Sequence, residues 1–176
     1  SSAPAVAHCP ALFLAAPASG QGKTTITAAL ARYHRDLGRK VRVFKMGPDY
    51  LDPQILQQAS GQPVTQLDLW MAGTEYCRHQ FYLAAQAADL ILVEGAMGLF
   101  DGEPSSADLA MTFNIPVALV MDVKGMAQTA AAVALGLADF RDDVEFCGLV
   151  ANNCGTQRHA QLITDALDGR MPLLAN

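Results

Sequence analysis

Apolar residues along the chain fall into two alternating patterns: short unbroken runs, and longer stretches in which they recur at helical spacing. Residues 11–15 form an apolar run between Pro10 and Pro17 and predict a strand. After a glycine-rich turn, residues 27–34 predict a helix that Gly38 ends. Residues 41–45 predict a second strand. Pro53 suits the first turn of a short helix running through Ala59. Helical spacing returns over 74–88, and Asp89-Leu-Ile-Leu-Val-Glu94 is apolar without alternation, as expected of a strand covered on both faces. The spacing then predicts strands over 115–120 and 144–150, helices over 127–140 and 156–167, and the start of a sixth strand at 171–174.

Strands alternating with helices predict an α/β fold: a mainly parallel sheet with helices on both faces. In such a sheet a ligand sits beyond the carboxyl ends of the strands, so the loops following strands are where chemistry is expected. Residues 1–10 read as an N-terminal extension and 11–176 as one domain. Composition supports a packed core, with 51% apolar and 16% charged residues. With 12 Lys+Arg against 17 Asp+Glu, and no basic cluster longer than Gly38-Arg39-Lys40, a nucleic-acid partner is disfavoured. The four cysteines form no Cys-x-x-Cys pair, which predicts reduced thiols in the cytoplasm rather than a zinc site or a disulfide framework. No apolar run approaches the roughly 20 residues of a bilayer span, so no membrane partner is expected.

The clearest chemical signal is Pro17-Ala-Ser-Gly-Gln-Gly-Lys-Thr-Thr25. A phosphate needs inward-turned backbone N–H groups, which Gly20 and Gly22 permit, and the positive end of the following helix adds to them. Ser19, Gln21 and Thr25 complete the cradle, Lys23 would reach the β and γ phosphates, and Thr24 would place its hydroxyl on Mg²⁺. The pattern G-x-x-x-x-G-K-[ST] has Pro17 at its first position here, which makes this a variant cradle. ATP is expected rather than GTP, because Ala151-Asn-Asn-Cys-Gly155 lacks the aspartate of a guanine reader. Three acids fall in loops at this end of the sheet: Asp49, Asp52 and Glu94. Two bare carboxylates about 4 Å apart repel by roughly 4 kcal/mol at an effective dielectric of 20, so their clustering points to a cation between them and the nucleotide. Lys45 could neutralise a transferring phosphoryl group. Asp101 lies in the glycine-rich loop Gly95-Ala-Met-Gly-Leu-Phe-Asp-Gly102, long enough to close over a substrate.

These strings, with Lys45-Met-Gly-Pro-Asp-Tyr-Leu-Asp-Pro53, Leu67-Asp-Leu-Trp-Met71 and Gly148-Leu-Val-Ala-Asn-Asn-Cys-Gly155 followed by Arg158-His159, resemble the synthetase half of the cobyrinic (or hydrogenobyrinic) acid a,c-diamide synthase family, related in fold to dethiobiotin synthetase. The resemblance runs over about 11–174. It implies an ATP- and Mg²⁺-dependent amidation of two corrinoid carboxylates through acyl phosphates, with ammonia from a C-terminal glutaminase domain that this chain is expected to lack. It further implies magnesium and phosphoryl-transfer roles for Asp49, Asp52 and Glu94, corrinoid binding by Asp101, selection of the side chain by Tyr50 and Leu51, and an adenine contact by Asn152. A homodimer is compatible with it. Related classes stay open: a cobyric acid synthase, a dethiobiotin-synthetase-like ligase, and a partitioning-type ATPase switch, against which Ala18 stands where that class carries a lysine.

Overall fold

The computed structural model of the chain describes residues 9–47, 53–67 and 69–176. The elements in chain order are β1 (Ala11–Ala15), α1 (Lys23–Asp36), β2 (Val41–Met46), α2 (Pro53–Ser60), β3 (Thr65–Leu67), α3 (Leu69–Ala87), β4 (Leu90–Glu94), α4 (Ser106–Thr112), β5 (Val117–Asp122), α5 (Gln128–Phe140), β6 (Phe146–Asn152), α6 (Gln157–Leu167) and β7 (Leu173–Ala175). The strands form one seven-stranded sheet in the order β3-β2-β4-β1-β5-β6-β7, with every neighbouring pair parallel. Parallel neighbours cannot be joined by a tight turn; crossover helices carry the chain back and cover both faces. This is why the central strands read as continuous apolar runs. The expected fold class, a parallel sheet with helices on both faces, is the one found.

Successive strand residues point to opposite faces, and the core divides accordingly. Phe13, Phe44, Val93, Leu119 and Met121 pack with Ala107 of α4, Ala130 and Ala134 of α5, and Ile163 and Leu167 of α6. The alternate positions Leu14, Val43, Leu92 and Val120 pack with Ala31 of α1 and with Leu56 and Ala59 of α2. Continuing that alternation to the strand ends puts Lys45 and Glu94, which are register partners, on the α1 face. The sheet order also sets β1 between β4 and β5, so the loop leaving β1 emerges between the ends of those two strands.

Several boundaries differ from the sequence expectation. β3 spans three residues, too few for any periodicity to register, and α4 spans seven. The strand expected from 115 begins at Val117, because Pro116 has no N–H to give; its carbonyl still accepts from Phe13 N at 2.9 Å. β6 runs two residues further than expected, to Asn152, which pairs in register with Asp122. α3 is interrupted at Gly73 (φ 78°, ψ 162°), and the helical spacing recognised from 74 onward is its second part. Among the described residues no helix is long and apolar enough to cross a membrane.

Candidate functional site

β1 leads into the glycine turn and the turn into α1. Gly20 (φ 78°) and Gly22 (φ 89°) both adopt left-handed backbone, the conformation that lets successive N–H groups face one point. Gly22 is the N-cap of α1, makes no side-chain cap bond, and no acid stands in the first turn. The first N–H groups of the helix and its positive end therefore remain available to an anion. They open on a cleft of about 430 Å³ lined by residues 19–25 together with Glu94, Ala96 and Met97. The predicted Ser19, Gly20, Gln21, Gly22, Lys23, Thr24 and Thr25 thus line a single concavity, and Glu94 joins them.

Lys23 is 8% exposed, and its Nζ donates to the carbonyls of Gly95 at 2.8 Å and Met97 at 3.2 Å. Thr24 Oγ1 donates to Glu94 Oε1 at 2.7 Å, and Glu94 itself is 1% exposed. Lys45 is equally buried beside Glu94 in register. A hydroxyl and a carboxylate beside a phosphate cradle are hard oxygen donors of the kind Mg²⁺ takes, with its other positions left to phosphate and water. Among the described residues no three His, Cys, Asp or Glu side chains gather as an all-protein metal cage. Thr24 Oγ1 and Glu94 are by their own chemistry a donor pair that fits Mg²⁺.

The glycine turn is braced from the ends of β5 and β6 by a strut of three residues. Gln21 Oε1 accepts from Asp122 N at 2.9 Å, and Asn152 Nδ2 donates to the Gln21 carbonyl at 3.1 Å. Asn152 also fills the space over Gly22, where an added Cβ would lie 2.2 Å from Asn152 Nδ2. The residue expected to meet adenine is thus engaged with the cradle through Gln21 and Gly22. Asp122 was not singled out from the sequence, although an acid closing an apolar strand is the same signal that marked Glu94. Its backbone N–H makes the contact. Its carboxyl is held below the usual carboxylate range by the Lys124 backbone N–H and then the Asn153 side chain.

The loop after β4 lies against the cradle. Leu99 N donates to Ala16 O at 2.9 Å, and Ser106 Oγ donates to Ala96 O at 3.1 Å. Met97 takes φ 59°, and a Cβ on Gly98 would lie 2.3 Å from Asp101 Oδ2 and 2.8 Å from Pro17 O. Asp101 is exposed, with its carboxylate turned back over Gly98. Asp49, Tyr50, Leu51 and Asp52 lie outside the described residues. Cys154, one of the four cysteines, directs its Sγ to the Thr156 carbonyl at 3.8 Å.

The model of the CobQ/CobB/MinD/ParA nucleotide binding domain family matches residues 12–175. The hydrogenobyrinate a,c-diamide synthase of Stutzerimonas stutzeri is 59% identical over 160 residues, covering 91% of this chain and 37% of that protein. The corresponding protein of Pseudomonas aeruginosa is 60% identical over 161 residues (92% and 37%), and the cobyrinate a,c-diamide synthase of Herminiimonas arsenicoxydans 53% identical over 158 (90% and 36%). The chain therefore spans under two-fifths of the length of these relatives. Among solved structures, the signal recognition particle receptor FtsY of Elizabethkingia anophelis in complex with GDP superposes with a TM-score of 0.66 at 17% identity, covering 97% of this chain and 57% of that one. FtsY of Thermotoga maritima gives a TM-score of 0.66 at 16% identity (94% and 60%). At these identities the likeness is one of fold.

Proposed function

From the premise that this chain belongs to the CobQ/CobB/MinD/ParA nucleotide-binding domain family, we propose that it is the ATP-using synthetase portion of a cobyrinate or hydrogenobyrinate a,c-diamide synthase. The observation that carries the nucleotide reading is the meeting of Lys23, Thr24 and Glu94 at the uncapped start of α1. The diamide-synthase names of relatives 59–60% identical support the substrate class.

The reaction this reading assigns amidates carboxylates, which are poor electrophiles. A substrate carboxylate oxygen attacks the γ-phosphorus of ATP, the bond to the ADP oxygen breaks, and an acyl phosphate results. Ammonia then adds to the acyl carbon and phosphate leaves, with loss of a proton, giving the carboxamide. Such chemistry depends on alignment and charge neutralisation more than on acid–base groups of the protein. Lys23 would exchange the Gly95 and Met97 carbonyls for β- and γ-phosphate oxygens. Lys45, buried next to Glu94, is suited to neutralising the transferring group. Thr24 and Glu94, with Asp52, would hold Mg²⁺, which when bound supplies compensation of phosphate charge. Asp49 joins them in phosphoryl transfer. Asn152 would meet the adenine, Tyr50 and Leu51 would select the carboxylate, and Asp101 would bind the corrinoid. Ammonia would come from a glutaminase domain in the part of such proteins beyond this chain.

The test is calorimetric titration with Mg-ATP and Mg-GTP, followed by incubation with cobyrinic acid or hydrogenobyrinic acid and ammonium, reading corrinoid-dependent phosphate release. Mg-ATP should bind and Mg-GTP bind weakly, with phosphate released when a corrinoid acid is present. Absence of nucleotide binding, or preference for GTP, would overturn the proposal.

A further inference from the structure

The loops after β5 and β6 follow strand ends that hold Gln21 of the cradle, and a histidine in the first turn of α6 joins them. His159 Nδ1 accepts from Gly155 N at 3.2 Å. An accepting Nδ1 carries no proton, so in the neutral ring the proton is on Nε2. Nε2 in turn meets the Met126 carbonyl, a natural acceptor for it, on the loop after β5. His159 N donates to Thr156 Oγ1 at 3.0 Å, which is the N-cap bond of α6 and fixes where the ring starts from.

The loops so joined continue directly from the two residues that grip the phosphate cradle. Val123 N donates to Asn152 O at 2.9 Å, and Met126 N donates to Val123 O at 2.9 Å, so the turn ending at Met126 is built on the Asp122–Asn152 pair. Asp122 N and Asn152 Nδ2 in turn hold the Gln21 side chain and carbonyl. We infer that His159 is a positioning residue for the nucleotide site: by tying the Met126 carbonyl to α6 it keeps the ends of β5 and β6 at the spacing Gln21 requires. The inference rests on the nucleotide-binding reading above. It assigns His159 no contact with the ligand.

The two ring nitrogens separate this role from a local one. In His159→Gln the side-chain amide reaches the Nε2 position and keeps a donor for Met126, while in His159→Asn an amide oxygen keeps only the acceptor for Gly155. Mg-ATP affinity is measured by calorimetry for the wild-type chain and for the Ala, Asn and Gln variants, with circular-dichroism melts as the check on folding. His159→Ala and His159→Asn should weaken Mg-ATP roughly five- to tenfold, the scale of one lost hydrogen bond, and His159→Gln should restore most of it. Rescue by Asn and not by Gln would overturn the inference in favour of a role confined to the turn of α6. Wild-type affinity in all three variants would overturn it as well. The Gln and Asn variants decide the matter even if His159→Ala does not fold. A wild-type chain that binds no Mg-ATP would bring down the nucleotide reading, and this inference with it, and is recognised by failing before any variant is compared.

Discussion

At the scale of single residues, the cradle is held open by what its glycines leave out. Gly22 combines φ 89° with a Cβ position 2.2 Å from Asn152 Nδ2, whereas Gly20, at φ 78°, has nothing within 4 Å of its Cβ position. Alanine at either site bears the cost of left-handed backbone, about 1–2 kcal/mol. At Gly22 it must also displace the Asn152 amide that supports the Gln21 carbonyl. Gly22→Ala should therefore lower the urea midpoint more than Gly20→Ala and should alone remove most nucleotide affinity; equal effects from both would contradict the strut. The grouping of Gly20, Gly22, Lys23 and Thr24 was legible because residue types at fixed spacing are visible in a sequence, and Glu94 because it is an acid closing an apolar strand. The partners of Lys23 were not, because they are carbonyls of Gly95 and Met97, and a carbonyl has no identity in a sequence. The same holds for the Met126 carbonyl that His159 meets.

At the scale of elements, α4 shows why a short helix escapes a periodicity search yet is firmly placed. Ser105 Oγ accepts from Asp108 N at 3.1 Å, and Asp108 Oδ2 accepts from Ser105 N at 3.0 Å, a reciprocal capping box. The Ser-x-x-Asp spacing was present in the sequence as a start signal, but seven residues gave it no repeat to confirm it. β3, with three residues, carried no such signal, and only its pairing with β2 identifies it. The box also binds α4 to the end of α5. Arg141 Nη1 donates to Asp108 Oδ1 at 2.7 Å, and Arg141 Nη2 to Asp143 Oδ2 at 2.7 Å. The Ser105 backbone N–H, and then Arg141, hold the Asp108 carboxyl below its usual range, and Arg141 does the same for Asp143. Carboxyls lowered by folding stabilise the native state above the unfolded value near 3.9 and cease to do so as pH falls through the lowered folded values. The wild-type urea midpoint should thus fall below about pH 4. Arg141→Leu should start lower and show a shallower fall between pH 5 and 3, and an unchanged acid limb would rule the arginine out as its source. The effect should be modest, since these side chains are 26–44% exposed and screened by water.

At the scale of the whole molecule, the sheet order gathers the site from distant parts of the chain. β1, β4, β5 and β6 are consecutive across the sheet, and their ends supply the cradle, Glu94, Asp122 and Asn152. Alternation of strands and helices foretold a parallel sheet, but not which strands would be neighbours, because lateral order is decided by which crossover packs over which face. A ligand joined to several central strands stabilises the native state as a unit, since it binds the folded chain and finds no such arrangement in the unfolded one. At a concentration 100-fold above its dissociation constant the gain is about 2.7 kcal/mol, which for a domain of this size raises the melting temperature by about 5–10 °C. Mg-ATP should produce a shift of that order, growing with the logarithm of nucleotide concentration. Lys23→Ala should abolish it while leaving the melt without nucleotide cooperative, because Lys23 bonds to carbonyls at the site and belongs to neither apolar cluster. A shift that survives Lys23→Ala would mean that the nucleotide binds somewhere other than the turn between β1 and α1.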